Sequence, residues 1–220
     1  MILSRKRRYI FVHIPKTGGT SMALALEERA AADDILVGDT PKARRRKKRL
    51  KGVKTRGRLW KHSTLAEAEG LLTPDDLDRS LIFTLVRNPW DRMVSYYHWL
   101  RAQDFPHPAV PLAKSTDFAG FVTAPQTRNA LRIPAAHYMR DSTGTDRADL
   151  YIRLENLAED IPPLNAHLGF SLTLPRSNAS DRPRDYRTAY TDQTAALIAD
   201  LCAEDIARFG YRFEDGPAAS

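Results

Sequence analysis

The sequence contains one cysteine and no long apolar segment. Cys202 cannot form an internal disulfide, and we expect it to pack in the core because it falls on the apolar face of a predicted C-terminal helix. The longest apolar runs, residues 9–14 and 81–86, are far shorter than the roughly 20 residues of a membrane span. The basic N-terminal residues are not followed by the apolar core of a secretory signal. These absences predict a cytoplasmic protein without a membrane span.

Acidic residues are missing from residues 41–61, which contain twelve Lys and Arg. Subtracting these twelve charges from the net charge of +7 leaves −5 for the rest of the chain. The segment has few apolar residues to order it by burial, so it is predicted to be a solvated, mobile loop. A surface that attracts an anionic partner is the alternative. The length of 220 residues indicates one domain over residues 1–220.

Strand and helix patterns alternate along the chain. Apolar, β-branched runs predict strands at residues 9–14, 81–87 and 150–154. Helices are predicted over residues 21–32, after the caps Thr73 and Asn88, and from Thr191 to the stop at Gly210. Residues 104–145 give only weak signals. The alternation predicts a three-layer α/β domain with a largely parallel sheet.

A glycine-containing loop lies between the first predicted strand and helix, where backbone N–H groups can converge on an anion. Its glycines allow close backbone approach, its lysine supplies positive charge, and its hydroxyls are donors. The lysine precedes the glycines, so the loop is not the triphosphate-binding G-x-x-x-x-G-K-[ST] motif. A left-handed glycine turn with an exposed lysine is the alternative. The anion-binding candidates are Lys16, Thr17, Gly18, Gly19, Thr20 and Ser21.

The second strand leads into a second motif, so that the chain contains both HIPKTGGTS and LVRNPWDRMVSYY. This pair resembles the two cofactor motifs of sulfotransferases that use 3′-phosphoadenosine 5′-phosphosulfate (PAPS). It is most similar to the family of carbohydrate and glycosaminoglycan O-sulfotransferases, which includes short bacterial members. The segment YIRLENL and the C-terminal residues share a looser similarity.

The resemblance implies a P-loop NTPase-like sulfotransferase fold and transfer of a sulfuryl group from PAPS, leaving 3′-phosphoadenosine 5′-phosphate (PAP). It implies that residues 16–21 hold the 5′-phosphosulfate and that Arg87 and Ser95 hold the 3′-phosphate. The implied acceptor is a hydroxyl, favoured on a carbohydrate and open to an anionic one, or an amine.

Elementary chemistry agrees with the role of Arg87. An arginine at a strand end and a serine on the next helix can share one phosphate, whereas a P-loop kinase needs a carboxylate there to help hold Mg²⁺. The alternatives are an ion pair of Arg87 with Asp91 on the surface and a solvent-facing Ser95.

Sulfuryl transfer requires charge stabilisation at the leaving oxygen and a base for the acceptor proton. Lys16 is the candidate for the first role. His62, in a connection predicted to be exposed, is the candidate base, and Lys61-His62 is similar to a pair found in several sulfotransferases. A capping or surface histidine is the alternative, and Glu27 and Glu28 are substitute bases. No metal-ligand motif is present, so we expect no metal.

Two further arginines, Arg182 and Arg184, follow Asn178-Ala179-Ser180, where the family often has a cofactor-covering or acceptor-binding segment. We include both as cofactor-binding candidates, and Arg153 with Glu155 as a later family element. A P-loop kinase and a nucleic-acid-binding module that uses residues 41–61 are the competing functions. The second is disfavoured because Trp60 is the one aromatic residue in the segment and no helix-turn-helix or zinc pattern is present.

Overall fold

The computed structural model describes residues 1–175 and 182–216. Its strands are β1 Ile2–Ser4, β2 Tyr9–Val12, β3 Ile35–Leu36, β4 Leu81–Val86 and β5 Leu150–Arg153. Its α-helices are α1 Gly19–Glu28, α2 Pro41–Arg46, α3 Pro74–Arg79, α4 Pro89–Arg101, α5 Ala109–Ser115, α6 Phe118–Thr123, α7 Pro125–Leu131, α8 Ala135–Met139, α9 Leu157–Asp160, α10 Pro162–Leu168, α11 Asp192–Leu201 and α12 Ala203–Phe209. Short 3₁₀ helices occupy Lys47–Leu50, Tyr186–Ala189 and Phe213–Asp215.

The chain divides into two compact units. The first contains Met1–Val86 and Ala135–Ser177, and the second contains Arg87–Pro134 and Asn178–Ser220. The prediction of one domain stays a prediction.

The sheet of the first unit has the strand order β3-β1-β2-β4-β5. The predicted strands β2, β4 and β5 are its parallel part, with Phe11 opposite Phe83 and Phe83 opposite Leu150. The remaining two strands, β1 and β3, are antiparallel additions at one edge. They contain three and two residues, which is too short for an alternating pattern to be recognised.

Both faces of this sheet are covered. Side chains alternate along each strand, so Phe11 and Phe83 point to one face while Ile10 and Ile82 point to the other. On the first face they pack with residues of α1 and α10, including Met22 and Leu164. On the second face they pack with residues 65–72, α3 and α8. The three-layer α/β arrangement is therefore present within the first unit.

The predicted caps are confirmed. Thr73 and Asp76 form a capping box at α3, and the side chain of Asn88 accepts a hydrogen bond from the N–H of Trp90 at α4. Thr191 caps α11, but the predicted C-terminal helix is interrupted at Cys202 before Gly210 ends α12. Cys202 is buried, and burial raises the pKa of its thiol to about 11. The thiol is therefore protonated near neutral pH, as expected for a packing residue.

Two regions contain more structure than the sequence predicted. Residues 109–139 form α5 to α8, whose individual lengths of five to seven residues are too short for a clear helical period. Residues 41–50, predicted to be a loop, form α2 and a 3₁₀ helix. Thr40 caps α2 and Pro41 occupies its first position, the signal that Thr73-Pro74 gives at α3. No helix within residues 1–175 and 182–216 is long and apolar enough to cross a membrane.

Candidate active site

The loop between β2 and α1 ends in a helix N-terminus without a side-chain cap. Gly18 occupies the N-cap position with a φ of +85°, in the left-handed region, and no side chain accepts a hydrogen bond there. The first N–H groups of a helix lack intrahelical acceptors and carry the positive end of the helix dipole. The arrangement can therefore bind an anion through its backbone.

Lys16 also lies in the left-handed region, with a φ of 65°. This conformation is uncommon for a residue with a Cβ and costs about 1–3 kcal/mol. Such strain persists where the surrounding structure imposes it, and it concentrates at functional sites. The backbone of Lys16 and Gly18 thus shapes the loop, while the Lys16 ammonium adds a positive charge.

The hydroxyls of the loop have different roles. Thr17 is buried, and its Oγ1 donates a hydrogen bond to the carbonyl of Ile14 at 2.9 Å, so its single proton is used inside the loop. Thr20 and Ser21 on the first turn of α1 are half-buried. Of the predicted hydroxyl donors, Thr17 therefore stabilises the loop, and its backbone N–H is the group that remains suited to an anion.

Packing also explains why residues 18 and 19 are glycines. A Cβ at Gly19 would overlap the imidazole of His13, and a Cβ at Gly18 would lie 2.8 Å from Cδ1 of Leu154. The His13 ring therefore packs directly against the start of α1, which only glycine permits.

His62 lies beside this ring. Its Nδ1 is 2.7 Å from the carbonyl oxygen of His13, and the centroids of the two rings are 4.5 Å apart. A carbonyl can only accept, so Nδ1 carries the proton and Nε2 keeps a lone pair. Burial lowers the pKa of His62 to about 4, which leaves the imidazole neutral near neutral pH. It has the protonation state that a general base requires.

The connection around His62 is more buried than predicted. His62 is half-buried, and its ring contacts the Trp60 ring edge-on with centroids 5.0 Å apart. Thr64 and Glu67 exchange the hydrogen bonds of a helix cap, although residues 65–68 form only a turn. The expectation of an exposed histidine is wrong, because ring packing and the bond to His13 cover its side chain.

The substitute base Glu27 is engaged elsewhere. Its carboxylate oxygens lie 2.7 and 2.8 Å from the hydroxyl of Thr40, the residue that caps α2. Burial raises the pKa of Glu27. Glu27 lines a small cavity with His13, Thr20, Asp39 and Lys61, whereas Glu28 is exposed. Glu27 therefore anchors α2.

In the second unit, two of the predicted arginines meet at one buried carboxylate. Arg87 donates through Nε and Nη2 to Oδ2 of Asp91 at 2.9 and 2.6 Å. Arg182 Nη1 lies 2.6 Å from Oδ1 of the same residue. The side chains of Arg87, Arg182 and Asp91 are only 13%, 14% and 5% exposed. The pair with Asp91 considered for Arg87 is present, but it is buried and not a surface contact.

Counted over Arg87, Arg182 and Asp91 alone, the charge is +1, because two guanidinium groups share one carboxylate. The contact between Arg182 and Oδ1 is close but lacks hydrogen-bond geometry, and both atoms are buried without a hydrogen-bond partner among the described residues. Ser95 is buried one turn after Asp91 on the same face of α4. Buried positive charge with incomplete hydrogen bonding suits a phosphate.

The other candidates are placed differently. Arg184 is exposed, and no ion pair involves it within residues 1–175 and 182–216. Arg153 donates to both carboxylate oxygens of Asp160 at 2.8 Å. Asn178, Ala179 and Ser180 lie outside the described residues. No group of three His, Cys, Asp or Glu side chains that could hold a metal ion occurs in the described part of the chain.

Asp91 was expected to pair with Arg87, but its contact with Arg182 was not predicted. The role of Ser63, whose hydroxyl accepts a hydrogen bond from the N–H of Trp60 at 2.8 Å, was not predicted either. The spacing of four residues indicated Asp91 as a partner of Arg87. Nothing in the sequence links Arg182 to it.

Residues 1–212 match a protein-family model that is described as the sulfotransferase family. Among solved structures, the chain is similar to mouse sulfotransferase SULT7A1 complexed with PAP, with 17% identity, 91% of this chain and 84% of that chain covered, and a TM-score of 0.49. No curated protein matches.

Proposed function

Since the chain belongs to the sulfotransferase family and is an enzyme of sulfuryl transfer, we propose that its donor is PAPS and its acceptor a hydroxyl, on a carbohydrate, or an amine. The observation that carries the donor assignment is the uncapped N-terminus of α1 behind Lys16 and Gly18. Residues 16–21 form a preorganised anion site, as a 5′-phosphosulfate requires.

The second anion of the donor is assigned to the second unit. Arg87, Ser95 and Arg182 hold the 3′-phosphate, and the excess positive charge around Asp91 supports this role. Arg184, two residues after Arg182, adds a charge to the same segment. An Arg fork and a hydroxyl give a phosphate both charge and directed hydrogen bonds.

The chemistry divides between two side chains. When bound, PAPS supplies a sulfuryl group on a phosphate oxygen that is a good leaving anion. Lys16 stabilises the charge that develops on this oxygen, and Nε2 of His62 accepts the proton of the acceptor hydroxyl during in-line transfer. The neutral state of His62 and its fixed Nδ1–H support its role as the base.

Ligand-induced shifts in melting temperature test the donor assignment. PAP with a metal chelator present should raise the melting temperature, because a ligand that binds only the folded state stabilises it. ATP with Mg²⁺ is the matched comparison, since it offers a triphosphate and no 3′-phosphate. Strong stabilisation by ATP with Mg²⁺ and none by PAP would overturn the proposal in favour of a kinase.

A further inference from the structure

His13 follows the last residue of β2, and its side chain lies on the face of the sheet that α1 covers. Its ring stacks on the ring of Phe11, with centroids 5.9 Å apart and an angle of 22° between the planes. Phe11 packs in the core together with Met22 of α1, so His13 continues this core towards the end of the strand. The residue is only 7% exposed, and its position is therefore set by packing.

The ring of His13 reaches the first turn of α1. A Cβ on Gly19 would lie 2.1 Å from Cδ2 and 2.4 Å from Nε2 of this ring, closer than side-chain atoms approach one another. Gly19 is the first residue of α1, and the N-terminus of this helix is the proposed site of the phosphosulfate. One edge of the His13 imidazole therefore rests on the backbone that is proposed to bind the donor.

His13 also contacts the proposed base in two ways. Its carbonyl oxygen accepts the hydrogen bond from Nδ1 of His62 at 2.7 Å. Its ring meets the ring of His62 edge to face, with centroids 4.5 Å apart and an angle of 70° between the planes. The donor loop and the base are thus joined through this one residue.

The His13 imidazole is poorly suited to proton transfer of its own. Burial lowers its pKa well below the ordinary value, and the neighbouring His62 lowers this pKa further. The ring is therefore neutral near neutral pH and does not repel the ammonium group of Lys16. Its contribution is steric, because it occupies the space between the start of α1 and the base.

We propose that His13 is a positioning residue for sulfuryl transfer. Its carbonyl fixes the tautomer of His62, and its ring, in contact with both Gly19 and His62, sets the distance from the donor loop to the base. In-line transfer requires the attacking oxygen about 3–3.5 Å from the sulfur, and a misplacement of about 1 Å can cost about 10²-fold in rate. This inference rests on the proposed function, since it assigns a residue to the same reaction.

The imidazole signals of His62 in nuclear magnetic resonance provide a test that needs no acceptor. Protein labelled with ¹⁵N in its histidine rings is titrated with acid, and His62→Ala identifies the signals of His62. In the wild type Nδ1 should carry the proton, and the ring should stay neutral until the pH approaches its pKa of about 4, which burial lowers. The other charged groups that act on this ring are Lys61, Asp39 and the Met1 amino group, and all of them are kept in every variant.

His13→Ala opens space beside His62 and admits water. Because weaker desolvation raises the pKa of a histidine, the pKa of His62 should rise towards the ordinary value of about 6.5, and at about pH 5 the ring should be protonated only in this variant. His13→Phe keeps a ring and should keep the lowered pKa of His62. A small cavity beside His13, lined also by Thr20 and Glu27, can take the additional atom of phenylalanine.

Gly19→Ala tests the contact with the donor loop. The added Cβ should displace the His13 ring and raise the pKa of His62 even though His13 is retained. In the His13→Ala background the space for this Cβ is free, so Gly19→Ala should cause little further change. Such dependence of one substitution on the other shows that the two residues act through the same contact.

Ile82→Ala is the control for a general loss of stability. Ile82 is buried in the core on the opposite face of the sheet. Its truncation should lower the melting temperature, because it leaves a cavity, but it should not change the pKa of His62. A rise in this pKa would then report the packing beside His62 and not a weakened fold.

An unchanged pKa of His62 in both His13→Ala and Gly19→Ala would overturn the inference. The same rise in His13→Phe or in Ile82→Ala as in His13→Ala would also overturn it. PAP-induced melting shifts are measured on the same proteins, and PAP should still stabilise His13→Ala, which retains Lys16. If PAP stabilises the wild type and the pKa of His62 does not respond, only this inference has failed. If PAP does not stabilise the wild type, the proposed function itself has failed.

Discussion

The glycine loop of the first unit and the arginine group of the second unit are both suited to an anion, but they are built from different parts. The loop relies on backbone N–H groups, two residues with positive φ, and one lysine. The arginine group relies on side chains held by a buried carboxylate. Backbone groups of the loop need only a short stretch of sequence, whereas the arginine group needs residues from distant positions.

The two regions should therefore have separable functions. The loop has His62 and His13 beside it in the first unit, so its residues are expected to act on the reacting group. The arginine group consists of charged side chains around Asp91, and it should contribute donor affinity. Variants of the first region should change turnover, and variants of the second should change the dissociation constant of PAP.

The largest effect is expected at His62. Replacing a general base typically costs about 10²–10⁴ in rate, so His62→Ala should reduce single-turnover transfer with saturating PAPS by that factor. The affinity for PAP should stay nearly unchanged, because the imidazole acts on the acceptor. A rate within about threefold of the wild type would exclude His62 as the base, since it lies far below the general-base range.

The pH dependence provides the control. The base is active only when neutral, and burial lowers the pKa of His62 to about 4. Activity should therefore persist as pH falls through 6.5 and decline only near the lowered pKa. His62→Ala should lose this acidic limb, and a limb near the ordinary histidine pKa of about 6.5 would contradict the burial seen here.

Lys16 is expected to have the next largest effect. Removing one donor that stabilises developing charge costs about 10²–10³ in turnover, and we expect this for both Lys16→Ala and Lys16→Gly. The two variants separate charge from backbone strain. Because residue 16 has a φ of 65°, the glycine variant should be more stable than the alanine variant, by about 1 kcal/mol in urea denaturation. Equal stabilities would mean that the loop relaxes in the alanine variant.

The features that could be predicted from the sequence are local, whereas the contacts that could not be predicted join distant residues. The parallel strands, the caps Thr73, Asn88 and Thr191, and the glycine loop are local features, and the structure contains each of them. The contact of His62 with His13 and the contact of Arg182 with Asp91 join distant parts of the chain. Such contacts depend on tertiary packing, for which a single sequence contains no local pattern.

The basic segment shows a different limit. Its twelve positive charges suggested a solvated loop, yet Thr40, Pro41 and the buried Ala43 form a helix that rests on Glu27. The prediction relied on the charge of the exposed residues and overlooked the capping pattern Thr40-Pro41, which is the same as that of Thr73-Pro74. A local capping signal was therefore a better guide to structure here than composition.

Arg87→Ala tests the arginine group. Hydrogen bonds to charged groups contribute about 1.5–3 kcal/mol, so Arg87→Ala should weaken PAP binding roughly 10–150-fold by calorimetry. Adenosine 5′-phosphosulfate lacks the 3′-phosphate, and its affinity should change much less. Turnover at saturating PAPS should stay close to that of the wild type.

Arg184→Ala is the matched control, because it removes an arginine that is exposed and outside the Asp91 group. Its effect on PAP should be smaller than that of Arg87→Ala. Equal losses of PAP and adenosine 5′-phosphosulfate in Arg87→Ala would show that Arg87 does not contact the 3′-phosphate, and the proposed separation of the two regions would fail.

The smallest effect is expected at Ser95, and it sharpens the comparison because it concerns a neutral group in the charged region. Ser95 is buried one turn after Asp91 on α4. A neutral hydrogen bond contributes about 0.5–1.5 kcal/mol, so Ser95→Ala should weaken PAP only about 2–12-fold, with adenosine 5′-phosphosulfate unaffected. Alanine favours helices, so the melting temperature should not fall through helix propensity.

Ser115→Ala, at an exposed serine of α5 in the same unit, is the control and should leave PAP affinity unchanged. A loss at Ser95 as large as that at Arg87 would mean that Ser95 positions the arginine group instead of adding one bond to the phosphate, and the charge-based account of this region would have to give way to one based on packing.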